Sequence, residues 1–474
     1  VNGLWSNPEL VRHVRAELRP VRAASAAAVT GVVLLLIWLA ARNAGPQKVA
    51  IAVFGSVVGL QFVFGALWCA LTCGNALSKE RVQRTFDFLR TTRLTASELV
   101  TGKLLGEPVL GYFVLACSLP LSLAAGWAAG FSMAVWLQIT LLLASFSLLV
   151  AVVSLWLSML SDRGGLAVVL GLFFALWSIA WPGSPFPAVA ALFPYVPVVV
   201  VLSDGRGIPP ATVFGYNVGY FAAGLLLHVT LGAWFFLMLA RNLKKGLDQM
   251  RLLSRWQAVG LAAYVNLLYH AFLNLERPGM AAVASQGAVI LNGTLLFACG
   301  TAMLTPYEAL KVWQRRHDEG RASYFSEDGL SWPWLVWVAG AGLVMLALRA
   351  ATSGIPRGSW NVATAAAQMA IFLVFAIRDV TFLQYCGLTR MKSPLTKGFL
   401  YLLLYYVAVG IAATLPDPAG ALLAGLMPFT AVKSQVPFAS YLGAVAQIPM
   451  IILLLQAISH QLRRPVIMAR ASAA

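Results

Sequence analysis

The chain has 474 residues, 60% of them apolar and 11% charged, with a formal net charge of +17 and a mean hydropathy of +0.79. A soluble domain carries about 25% charged residues, so this chain lacks the polar surface to remain in water and reads as an integral membrane protein. Its basic residues are spread through many short segments rather than gathered in one patch, which argues against a nucleic-acid surface and for anionic lipid headgroups and a cytoplasmic partner.

In chain order, Asn7–Arg22 comes first and is too polar to span. Leu10, Val11, Val14 and Leu18 fall at helical spacing among Arg12, Arg15 and Arg19, the pattern of a helix lying in the plane of the membrane interface. Asn7 is its N-cap and Pro8 its first residue. Twelve apolar runs follow, each near the length the hydrocarbon core demands of a helix. They are Ala24–Ala41, Val49–Cys73, Leu104–Ala125, Met133–Leu160, Gly164–Trp181 and Val213–Ala240. A second set comprises Gln257–Leu273, Ala281–Met303, Trp334–Leu348, Val362–Ile377, Phe399–Leu415 and Phe438–Ser459. Barrel strands would instead alternate over about ten residues, so the expected fold class is all-α and polytopic, with about 12 transmembrane helices. With the N-terminus inside, 27 of the 34 Lys and Arg fall on inner segments, and positive charge stays cytoplasmic. Both termini are therefore expected in the cytoplasm. No cleavable signal peptide is evident, because the first span follows a long charged segment.

A proline-rich stretch from Pro182 to Pro210 joins the fifth and sixth runs on the outer side and reads as a segment that dips into the outer leaflet or packs on the bundle, either an outer lid or gate or a plain structural loop. Leu192–Val198 is echoed by Leu426–Val432, which suggests two degenerate six-helix halves, 1–248 and 249–474. A competing register pairs Thr381–Gly398 with Phe86–Gly102.

The most informative segment is 78–103, between the second and third runs. Glu80–Leu89 reads as a short helix with Val82, Phe86 and Leu89 along one apolar edge. After a break at Thr91-Thr92, Thr95-Ala96-Ser97-Glu98 is a capping box that starts a helix running into the membrane.

The order Glu80-Arg81, Thr85-Phe86-Asp87-Phe88-Leu89, Thr91-Thr92, Leu94-Thr95, Glu98 and Gly102-Lys103-Leu104 is similar to the inner loop of the type-2 ABC exporter permeases. The chain departs from that pattern at Arg84, where glycine is usual, and at Arg93, where proline is usual. The resemblance covers roughly residues 1–248. It implies a coupling helix that docks into a groove on a separate ABC ATPase subunit, which would hold ATP and Mg. Val82, Phe86, Phe88 and Leu89 would fill the groove and Arg81, Arg84 and Arg90 would ring it. One chain would supply both transmembrane domains, or two permease chains, a homodimer included, would form the complex in a bacterial inner membrane. The chain itself has no P-loop, since Gly102-Lys103 is followed by Leu104, so no cofactor is expected in it.

Remaining polar positions read as structural. Glu107 is the most notable acid of the spans, paired with Lys103 one turn back in preference to an intramembrane polar site. His228 and His270 are expected to make helix–helix hydrogen bonds, and Arg378-Asp379 a local pair at the inner end of the tenth span. Asn292-Gly293-Thr294 is a sequon inside a span and hence not an acceptor. Five cysteines without CxxC spacing imply neither disulfide nor metal site. The rival classes are an ATP-independent carrier, a membrane enzyme such as a lipid-modifying transferase, and a permease-like subunit that transmits force without transport. An enzyme would need clustered His, Asp or Glu at one membrane face, and a carrier several intramembrane acids.

Overall fold

The computed structural model describes residues 7–42, 46–86, 91–159, 198, 202, 210–244, 252–273, 280–354, 361–389, 394–415, 419–432 and 436–463. These form helices almost throughout, and ten are long and apolar enough to cross a membrane. The chain is an all-helical, multi-pass membrane protein. It divides into two compact units, Val1–Lys245 and Gly246–Ala474.

In the first unit, α1 (Pro8–Glu17) is followed by α2 (Pro20–Ala41). Next comes α3 (Pro46–Val63), which passes through a π-turn at Phe64–Trp68 into α4 (Cys69–Val82). Then come α5 (Ala96–Gly106), α6 (Val109–Ala128), α7 (Met133–Ser158) and α8 (Tyr220–Asn242). α7 is the centre of the packing, against α4 on one side and α8 on the other. Gly65 lies so close to α7 that a Cβ there would stand 2.2 Å from Ser147 Oγ. Polar side chains bridge the helices where hydrocarbon offers no other partner. Gln61 donates to Ser118 Oγ at 2.9 Å, Trp136 Nε1 donates to Ser122 Oγ at 3.1 Å, and Ser145 Oγ lies 2.7 Å from His228 Nδ1. The last contact joins α7 to α8, as anticipated for His228. α2 keeps Val29, Val32, Leu35 and Trp38 exposed, a face for lipid.

Two boundaries differ from the run lengths. The sixth run does not begin as helix: β1 (Pro210–Val213) and β2 (Tyr216–Gly219) pair antiparallel. Phe214 and Gly215 turn between them with φ of 52° and 87°. A two-residue turn with both φ positive matches the twist of the strands it joins, and so fixes a hairpin. The third run is interrupted at Pro108, which lacks the amide a continuous helix needs; Glu107 therefore sits at the α5–α6 junction, not inside a span. The fifth run, Leu192–Pro197 of the repeat and most of the proline-rich stretch lie outside the described residues.

The second unit contains α9 (Arg255–Ala271), α10 (Met280–Ala302), α11 (Tyr307–Asp318) and α12 (Trp332–Thr352). α13 (Val362–Leu388), α14 (Pro394–Ala412), α15 (Ala419–Ala424) and α16 (Phe438–Arg463) complete it. α13 is its buried axis, packed by α10, α12, α14 and α16. The short seventh run is helical as α9 but has only 17 residues, about 25 Å at 1.5 Å per residue. Asn266 of α9 and Asn292 of α10 exchange reciprocal amide hydrogen bonds at 2.9 and 2.8 Å. The sequon asparagine is thus buried and committed. Arg255 is buried and donates to the Met303 and Gly329 carbonyls and to Thr305 Oγ1, which closes one end of the unit.

Two expectations are corrected here. His270 is buried, yet neither ring nitrogen has a hydrogen-bond partner among the described residues. The Arg378–Asp379 pair is not at a helix end: ten more residues of α13 follow Arg378, the last of them Leu388. α13 continues well past the apolar run because neighbouring helices, rather than bilayer thickness, bury its last turns.

Candidate functional site: a loop anchored on a buried charged cluster

α1 reaches the loop first. Asn7 Oδ1 accepts from the amides of Glu9 and Leu10, the cap its position suggested, and Asn7 Nδ2 donates to the Glu98 carbonyl at 2.7 Å. One residue thus caps α1 and fastens it to α5. Gly102 and Gly106 make the docking close: a Cβ on Gly102 would stand 2.7 Å from Glu9 Cβ, and one on Gly106 2.8 Å from His13 Cβ. The two glycines lie one turn apart and form the groove that seats α1.

That approach places Glu9 above Lys103, whose side chain is wholly buried. Lys103 Nζ lies 3.2 Å from Glu9 Oε1 and 4.0 Å from Glu107 Oε1, and donates to the Glu80 carboxylate at the end of α4. Around it, Arg12 pairs with Glu9 at 2.8 Å, and His13 Nε2 lies 3.3 Å from Glu9 and 3.7 Å from Glu107. Burial would push the Glu9 carboxyl up. The His13 contact and the Lys103 and Arg12 charges outweigh it and hold the carboxyl down at about 2. The expected Glu107–Lys103 contact is present, but it is the longest of three, and the main partners of Lys103 are Glu80 and Glu9. One cation therefore joins three chain segments, around residues 9, 80 and 103.

Arg81 fixes the same end of α4 to α7, donating to the Ser158 and Met159 carbonyls at 2.5 and 2.8 Å. Ser158 Oγ accepts in return from the Leu77 and Ser78 amides. Arg81 is thus a brace between α4 and α7.

The expected helix over Glu80–Leu89 is broken within its described part: Gln83–Thr85 are not helical, and Phe86 is helical again. α4 runs on from the second span and stops at Val82. Arg84 then adopts φ of 57°, its amide bonds to the Arg81 carbonyl at 3.1 Å, and the Thr85 amide bonds to the Glu80 carbonyl at 2.9 Å. These two bonds and the left-handed residue make a Schellman stop. Arg84 holds a conformation that glycine adopts without a Cβ penalty. Once the chain has turned, the proposed apolar edge comes apart: Val82 is 73% exposed and Phe86 only 4%. Asp87, Phe88, Leu89 and Arg90 lie outside the described residues.

The segment after the break follows its local code. Thr95 N–H donates to Glu98 Oε2 at 2.8 Å, and Glu98 N–H donates to Thr95 Oγ1 at 3.2 Å. The bond from the Thr95 amide holds the Glu98 carboxyl below its ordinary range. Lys244, just beyond α8, donates to the Thr92 carbonyl at 3.2 Å. The loop is thus tied at residues 80–81, 92 and 95–103, with Val82–Thr85, Thr91 and Arg93 exposed between the ties.

No group of three or more His, Cys, Asp or Glu suited to a metal occurs among the described residues, and Cys69, Cys73, Cys117, Cys299 and Cys386 are free thiols. Sequence reasoning missed Lys103 as the centre of the cluster. Its one outward sign was a lysine at i−4 from Glu107, at the start of an apolar run. It also missed the network around Arg378 in the second unit, where the guanidinium bonds Asp379, Gln447 at 2.8 Å and the hydroxyls of Tyr405 and Tyr406 at 3.0 and 2.9 Å. No protein-family model matches this chain, and no curated protein matches it.

Proposed function

We propose that the chain is the permease subunit of a type-2 ABC exporter, with about twelve spans and both termini in the cytoplasm of a bacterial inner membrane. It would couple ATP hydrolysis on a separate ATPase subunit, which holds ATP and Mg, to outward movement of a substrate, without chemistry on that substrate. The observation that carries the reading is the anchoring of the 78–103 loop. Buried Lys103 joins α1, α4 and α5, and Arg81 ties α4 to α7. A push on the exposed loop is transmitted to four helices at once instead of being absorbed by a flexible connection. A rigid device of this kind suits delivery of force from a partner into the bundle. The family resemblance of the loop supplies the identity of that partner.

Affinity purification of the tagged chain from its native membranes in mild detergent, followed by mass spectrometry, tests this. A stoichiometric P-loop ATPase is expected, and its copy number against this chain distinguishes one permease from two. Reproducible recovery without an ATPase overturns the reading.

One observation favours an ATP-independent carrier as the second reading. The Arg378–Asp379–Tyr406 network is buried midway along a candidate span, and ionisable groups in such places mark transport pathways. A proton- or sodium-gradient dependence of transport that survives loss of the ATPase would select it.

A further inference from the structure

A cavity of about 650 Å³ opens in the second unit between α11, the 324–333 segment, the first turns of α12 and the last turns of α16. That volume is ample for a small-molecule group. Two of its boundaries are ends of candidate spans, Trp332–Thr352 and Phe438–Arg463, so it lies at the level where hydrocarbon gives way to headgroups. α11 lies against the end of α16 through Leu310, Trp313, Ile458 and Leu462.

The lining has three distinct parts. Its floor is aromatic: Trp313 stacks on His317 at 5.1 Å, and Tyr324 packs edge-on to His317 at 4.4 Å. Its mouth is an opposite-charge pair, Asp318 and Arg463, 3.3 Å apart with both side chains well exposed. Its outlet is apolar, along Val336 and Trp337, which are 49% and 55% exposed.

We propose that this cavity binds the headgroup of a zwitterionic phospholipid from the bilayer. The ammonium is attracted by the Asp318 carboxylate and by aromatic faces. The phosphate is matched by Arg463, and the acyl chains leave over Val336 and Trp337. An exposed ion pair is itself worth little, so opening Asp318–Arg463 to form two pairs with the lipid costs little. An anionic headgroup without an ammonium would meet Arg463 but leave the Asp318 carboxylate at the mouth without a cation.

The test is native mass spectrometry of the delipidated full-length chain with dioleoyl phosphatidylethanolamine or dioleoyl phosphatidylglycerol added in turn. The expected result is one retained phosphatidylethanolamine, bound about fivefold or more tightly than the phosphatidylglycerol. Asp318→Asn with Arg463→Gln should abolish that preference, and Trp337→Ala should weaken retention without altering headgroup preference. Equal or stronger retention of phosphatidylglycerol overturns the proposal. So does retention of neither lipid, or an unchanged preference in the double variant. A melting curve for each variant, all three altered side chains being exposed, separates lost binding from lost folding.

Discussion

Lys103→Met is the most incisive perturbation of the loop anchor. Methionine keeps the length of the stem and removes only the charge. It leaves the Glu80 carboxylate, 12% exposed, and the Glu9 carboxylate, 6% exposed, without the cation they share. Arg12 is 57% exposed and 4.0 Å from Glu80, too far and too well solvated to substitute. Breaking a buried pair by deleting one partner costs about 3–5 kcal/mol. Glu9 retains Arg12 and His13, which places the expected loss near the lower end, about 3 kcal/mol, or roughly a hundredfold in the folded-to-unfolded ratio. Glu80→Met added to Lys103→Met removes the stranded charge and should restore about half of that loss, because an apolar pair replaces an ion pair with little penalty. Thermal unfolding in detergent, followed by labelling of the buried thiols Cys69 and Cys73, reads both variants. If Lys103→Met melts with the parent, or the double variant melts below the single one, the cluster does not hold the loop.

Three further outcomes follow from the same geometry. The Glu9 carboxyl lies at about 2 in the folded chain against 4.5 ordinarily, so its stabilising contribution is full above about pH 4.5 and is lost as the pH falls towards 2. Glu9→Gln should remove that part of the acid sensitivity in a melting-versus-pH series. Arg84→Gly relieves a side chain in the left-handed region and should stabilise by about 1 kcal/mol in the same melting assay; a loss of stability would count against the Schellman stop. Val82→Asp should leave folding intact and abolish co-purification of an ATPase, whereas Phe86→Asp should disrupt folding, as judged by size-exclusion profile. The reverse pattern would return Phe86 to the docking surface.

Much of the architecture was legible in the chain because its causes are local. Ten helices follow from apolar runs that the bilayer requires, and the Asn7 cap and the Thr95–Glu98 box are contacts two or three residues apart. Within the loop, however, periodicity ran one helix across a break. A repeat at 82, 86 and 89 cannot register that Arg84 takes a positive φ and reverses the chain, so it assigned Val82 and Phe86 to one face. Hydropathy likewise set the end of α13 by its apolar run, although the helix continues through Gln384 to Leu388, sheltered by its neighbours.

What the amino-acid sequence determined by itself is membrane residence, the positions of most spans and the local caps, since each is set within one or a few turns. Only the tertiary structure decided that Glu9, Glu80 and Lys103 share a charge, that Arg81 braces α7, and that Tyr406 and Gln447 attend Arg378. These partners stand tens of residues apart. Burying an ion in a low-dielectric interior is tolerable only when its partners arrive with it. Their arrival depends on how the helices pack, which no single segment encodes.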